Sequence, residues 1–338
     1  MSTVAAISSL VRFDEVRCRA IAALLGQMAI PPMQEEFTVS ELNSVDRANY
    51  LLCTVAICHQ TQDLRGIVEG TFLRGWDYLA ATLASAVRNS QLRLDPDSLA
   101  ALRDDELSSM VACDVHGATL SEIGERAALL RDVGSVMKKN SWTSLGDVYR
   151  DSAGRAVTGD QSFASLLRLF QAFQDPVEKK SLYLLGLVQA CLQWAFQDAD
   201  HISAPVDYHE VRGHLRLGTV VVDEPVLQRR LMDKEPVSIE EDIVIRMATR
   251  RAIESISRFC DSRPLVLHYL FLNLFRNICV REIPYCDSVP GAVEVPKRYR
   301  ELLPVSDGHL HCPFTRTCKA KETGEFIREH ANPGTSWY

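Results

Sequence analysis

Apolar residues recur every three or four positions along most of this chain, and that spacing is the strongest constraint on its fold. Such a period places one apolar stripe on each helix and obliges it to pack against another. Helices are expected over Leu10 to Met28, Ser44 to Cys58, Gly75 to Ser90, Asp95 to Leu102 and Ser121 to Met137, the last capped near Ser121. They continue over Ser162 to Phe173, Glu178 to Phe196, Val206 to Leu217, Glu224 to Met232, Glu240 to Arg258 and Pro264 to Cys279. The β-branched run Thr219-Val220-Val221-Val222 is short and leads into Asp223-Glu224-Pro225, so it is read as a connector. Asp287 to Leu310, rich in Pro and charge, reads as an insertion loop. Gly324 to Tyr338 reads as a loosely ordered tail.

The fold class expected is all-α, with two helical lobes and an active-site cleft between them. The expected division is residues 1–160, residues 161–278, and a cysteine-bearing region with tail over 279–338. With 46% hydrophobic and 24% charged residues, 338 residues suffice for a buried core. No run of eighteen apolar residues offers a membrane span. Charges at Arg12, Asp14, Glu15, Arg17 and Arg19 interrupt any signal-peptide core, so a cytoplasmic protein is expected; it is also expected to be a monomer. The net charge of -7 argues against a protein that coats nucleic acid. A local basic face stays open, since Lys297, Arg298, Arg300, Arg316, Lys319 and Lys321 lie near the C-terminal cysteines.

Cys18, Cys53, Cys58, Cys113, Cys191 and Cys260 sit singly in apolar, helix-like surroundings and read as small buried hydrophobes. Cys279, Cys286, Cys312 and Cys318 differ. Six residues separate the first pair and five the last, with Asp287 to His311 between them. Four thiolates can converge if that segment loops out. A [4Fe–4S] cluster takes four Cys thiolates, and zinc takes the same ligands, usually at shorter spacing within pairs.

Pro205-Val206-Asp207-Tyr208-His209-Glu210-Val211-Arg212-Gly213-His214-Leu215-Arg216-Leu217-Gly218 places an Asp at the mouth of a helix. Asp207 is a natural N-cap, since its carboxylate accepts from the first N–H groups. A carboxylate fixed in this way can also stabilise a developing cation and orient or deprotonate a water. Arg212 and Arg216 are predicted to share one helical face.

This segment resembles the Val-Asp-x-His-x-x-x-Arg helix entry of the helix–hairpin–helix DNA glycosylase superfamily, matched at Val206, Asp207, His209, Arg212, Arg216, Leu217 and Gly218. The resemblance implies that Asp207 is the catalytic carboxylate and that His209 and Arg212 bind substrate. The four cysteines resemble the C-terminal pattern of its iron–sulfur members, apart from the long middle gap. No Leu-Pro-x-Val-Gly hairpin precedes Asp207; Leu185-Gly186-Leu187 is the nearest sequence and lies in an apolar helix.

A second resemblance covers most of the chain. Ala56-Ile57-Cys58-His59-Gln60, Arg74-Gly75-Trp76-Asp77-Tyr78-Leu79, Lys179-Lys180, Asp207-Tyr208, Asp242-Ile243-Val244-Ile245-Arg246 and Cys312-Pro313-Phe314-Thr315-Arg316-Thr317 follow the motif order of the queuosine-nucleotide N-glycosylase family. It implies a pocket that includes His59, Trp76, Lys180 and Arg246. The chain departs at His59-Gln60, where the family has aromatics, and at Val244, where it has Glu. Without the resemblance, Trp76 and Tyr78 read as core, Arg246 reads as a surface pair with Asp242, and Glu240 to Asp242 charge a helix N-terminus.

The expected activity is hydrolysis of the N-glycosidic bond of a modified nucleobase. DNA carrying modified bases is the first substrate expectation, in repair or anti-phage defence, with the base flipped from the stack. A free queuosine-type nucleotide, in base salvage, is the second. A non-catalytic nucleic-acid-binding module is the third.

Overall fold

The computed structural model describes residues 10–32, 39, 41–62, 64–111, 122–293, 295–331 and 334–338. Among them are fifteen α-helices and three two-stranded antiparallel pairs, so the chain is mostly helical as its periodicity requires. The expected cap at Ser121 and the expected burial of Cys113 lie outside the described residues.

The chain forms two compact units that interleave in sequence. One comprises Met1–Met33 with Ser203–Thr335, the other Gln34–Ile202 with Ser336–Tyr338. This replaces the three consecutive segments expected. The boundary placed at 160/161 falls inside the second unit, and the N-terminal segment belongs with the C-terminal half. Periodicity locates helices, but which helices share a core depends on long-range packing that spacing does not encode.

In the first unit, the helix Ile239–Cys260 packs along Glu15–Leu25 and also meets Tyr208–Leu217 and Pro264–Asn277. Ile21, Leu25, Val211, Ile245, Ile253, Leu267 and Phe271 are each buried there. Ser238 and Glu241 form a capping box that starts the long helix, and Pro264 occupies the first turn of the next. The run Val220–Val222 is a strand rather than a connector. It pairs antiparallel with Val11–Phe13, with Val11 opposite Val222 and Phe13 opposite Val220. The β-branched residues needed only an extended partner, and that partner comes from the part of the expected first helix that lies before its Asp14 cap.

The segment read as an insertion loop contains the helix Lys297–Arg300 and the strand pair Val305–Ser306 with His309–Leu310. The expected loose tail is also corrected, because it carries fully buried Glu329 and nearly buried His330, and Ala331 bridges to Pro236.

In the second unit, Ser44–Ala56 packs on Lys179–Leu192, and Pro96–Ala100 lies against Ile123–Lys139. A Cβ on Gly134 would stand 2.4 Å from the Ala100 backbone nitrogen, so glycine permits that approach. Arg65–Val68 and Thr71–Arg74 form a hairpin that alternation did not signal. The expected helix over Ser162 to Phe173 is a short helix, Phe163–Leu167, followed by a 3-10 turn, Gln171–Phe173. No helix among the described residues is long and apolar enough to cross a membrane.

Candidate functional site

Asp207 caps the helix Tyr208–Leu217. Its Oδ1 accepts the His209 N–H at 2.8 Å and the Glu210 N–H at 3.3 Å, while its own N–H donates to Glu210 Oε2 at 3.0 Å. This is a reciprocal capping box. Asp207 is half-buried, and its Oδ2 accepts no hydrogen bond from the described residues. The box is held from below, since Glu210 is fully buried and its Oε1 lies 2.5 Å from His268 Nδ1. Glu210 stands three residues after Asp207, the spacing of a capping box, so the sequence carried that signal. His268 carried none, because it comes from another helix.

Tyr208, next to Asp207, has its hydroxyl pushed up to about 12, first by burial and then by the Asp207 charge. Arg212, Arg276 and Arg281 act in the opposite direction on it. The Tyr208 phenol therefore sits between the Asp207 carboxylate and the charges of three guanidinium groups.

The two arginines of this helix face inward. Arg212 is nearly fully buried. Its Nε donates to Cys279 O at 2.8 Å, Nη1 to Glu329 Oε2 at 3.0 Å, and Nη2 to Phe275 O at 2.9 Å and to His209 Nδ1 at 2.9 Å. A guanidinium can only donate, so His209 Nδ1 is an acceptor and carries no proton. Arg216 donates to the backbone oxygens of Ile327, Cys279, Val280 and Arg281 and, at 3.4 Å, to Cys279 Sγ. They share one face, as their spacing predicts, but that face grips the segment after Asn277 and the C-terminal tail. The substrate-binding role expected of Arg212 is replaced by this structural one, since burial and four protein acceptors occupy its donors.

Arg246 is corrected in the same way. It is fully buried, and its Nε and Nη2 donate to Asp242 Oδ2 at 3.0 and 2.9 Å. Asp242 Oδ1 lies 2.7 Å from His330 Nε2. The expected pair exists in the core and not on the surface, because Asp242 and Arg246 lie one turn apart on the buried side of their helix.

Cys279, Cys286, Cys312 and Cys318 come together. They line one cavity of about 20 Å³ with Arg216, Phe275, Phe314 and Phe326 among its walls. That exceeds the room one water requires. The Cys312 N–H donates to Cys286 O at 3.0 Å, which joins the two pairs across the long gap. Among the described residues no three of these sulfurs lie within 4.8 Å of one another. Burial pushes the Cys286 thiol up to about 11 and raises Cys312 and Cys318 as well.

The remaining candidates belong to the second unit. Trp76 is half-buried and meets the Tyr183 ring edge-on at 5.2 Å. Lys180 is fully buried. Its ammonium donates to Ala56 O at 2.6 Å, and burial lowers its pKa to about 8. His59 is fully buried beside Glu122 and Glu125. Lys180 and His59 are thus both buried within the second unit.

A scan against protein-family models and a search of curated proteins find no match to this chain, so the site has to be read from its own geometry.

Proposed function

We propose that the chain is an N-glycosylase that hydrolyses the bond between a modified nucleobase and its sugar, with Asp207 as the catalytic carboxylate. The observation that carries this reading is the division of labour within that carboxylate. Oδ1 is fixed by two backbone N–H groups, and Oδ2 accepts nothing from the described residues. A carboxylate held by one oxygen and presenting the other is suited to a sugar on which positive charge develops. The same Oδ2 would orient a water or take its proton.

Four thiolates from Cys279, Cys286, Cys312 and Cys318, which line one cavity, would hold a [4Fe–4S] cluster. The cluster would supply a covalent tie between the segment after Asn277 and the C-terminal region. Arg216, on the Asp207 helix, already touches Cys279, so the tie would brace the helix that presents the carboxylate.

DNA with modified bases is the substrate proposed first. The test incubates the full chain with modified DNAs and, separately, with queuosine monophosphate, and follows released base by mass spectrometry. Release from DNA, with affinity that falls steeply as salt rises, supports the DNA reading. Release from the free nucleotide alone moves the activity to base salvage. Asp207→Asn keeps the cap acceptor and removes the charge. It should lower base release by roughly a thousandfold at a stability change of at most ~1 kcal/mol. A folded variant with near wild-type release makes Asp207 a cap and nothing more.

A further inference from the structure

His59 lies just past the end of the helix Ser44–Ala56, fully buried, and neither ring nitrogen has a hydrogen-bond partner among the described residues. Buried polar atoms in folded proteins are nearly always satisfied, so an orphaned imidazole points to something that it receives. Its Nε2 is 3.6 Å from Glu122 Oε2 and 3.7 Å from Glu125 Oε2, and the three atoms lie within 4.8 Å of one another. Those separations are too long for hydrogen bonds from the ring. Ligand atoms each about 2.1 Å from one ion stand roughly 3.0 to 3.4 Å apart, so a small rotation of two exposed carboxylates closes the set.

The geometry points to a binding site in the second unit for one first-row divalent transition ion, held by His59 Nε2, Glu122 and Glu125. Its residues belong to the second unit, whereas Asp207 and the four cysteines belong to the first. An imidazole with two carboxylates suits Mn²⁺ or Zn²⁺. Three protein ligands, two of them exposed at the surface, leave the remaining positions to water, the arrangement of an open site rather than a closed structural one.

The ligand form of the imidazole is neutral. Burial, then the charges of Lys180, Arg126 and Lys179, push its pKa down to about 2, so the ring is neutral at physiological pH. Those cations also repel a metal ion, but two of them are turned to other work. Arg126 donates to the Ile57 and His59 carbonyls and Lys180 to the Ala56 carbonyl, where the negative end of the Ser44–Ala56 helix offsets their charge. Glu122 and Glu125 supply the charge that a divalent ion needs.

The experiment titrates the full chain with Mn²⁺ and follows loss of the free-ion signal by electron paramagnetic resonance. Thiolates select softer ions, so the four cysteines do not contribute to this readout. Wild-type protein should take up one Mn²⁺ per chain. Glu122→Gln with Glu125→Gln, two exposed substitutions that keep shape, should weaken uptake by at least ~10-fold. A wild-type dissociation constant above ~1 mM overturns the proposal, and so does undiminished uptake by the folded double variant.

Discussion

Arg212 and Glu329 form a buried ion pair at 3.0 Å, with 2% and 1% of their side chains exposed, across 117 positions of sequence. Arg281 also donates to Glu329, so one carboxylate in the C-terminal tail holds two cations near the Asp207 helix. Removing one partner of a buried pair leaves the other charge uncompensated in a medium that cannot solvate it. Glu329→Gln should therefore destabilise the first unit by about 3–5 kcal/mol, measured by urea denaturation. A loss under ~1 kcal/mol would show that water reaches the pair.

Gly213 lies in the middle of the Asp207 helix, and a Cβ there would stand 2.1 Å from Phe275 Cδ2. Phe275 in turn lines the cysteine cavity. Gly213→Ala gains helix propensity but has to displace a packed ring. The expected balance is a net destabilisation of about 1–3 kcal/mol, read as a lowered melting temperature. An unchanged or raised melting temperature would mean that the ring shifts without strain.

The four-cysteine cavity predicts a metal content. Protein prepared without oxygen should be brown and hold about four irons per chain, and Cys312→Ser should lower that number. Stoichiometric zinc with no iron would replace the cluster by a zinc site.

Asp147 should make stability depend on acid. Burial acts to raise its pKa, but the Thr143 N–H and hydroxyl, the Ser144 N–H and Arg150 outweigh it and hold the group down at about 2. The folded value is below the unfolded one near 4. The ionised carboxylate thus stabilises the fold above about pH 4, and the contribution is lost as pH falls toward 2. Asp147→Asn should remove about 2 kcal/mol at pH 7 and much less near pH 2, so the two melting curves should converge in acid. A gap that stays constant with pH would refute this account.

Most of the helices were legible because an apolar period marks them, and some, such as Ile239–Cys260, carry their own cap as well. Asp207 at a helix mouth, with Glu210 three residues on, is written in adjacent residues, and the structure has that cap. The meeting of four cysteines in one cavity was also foreseeable from their spacing once Asp287 to His311 was allowed to loop out.

Tertiary structure alone decided the rest, because it depends on partners distant in sequence. Val220–Val222 became a strand when Val11–Phe13 offered an edge. Arg212 and Arg246 look alike on paper to pocket cations, yet each is buried against a carboxylate and never reaches solvent. Glu122 and Glu125 lie more than sixty positions from His59, and only the packing of the second unit sets them against its unsatisfied nitrogen. Local periodicity and capping are short-range properties of the chain, whereas burial, ion pairing and ligand convergence are sums over neighbours that the fold alone supplies.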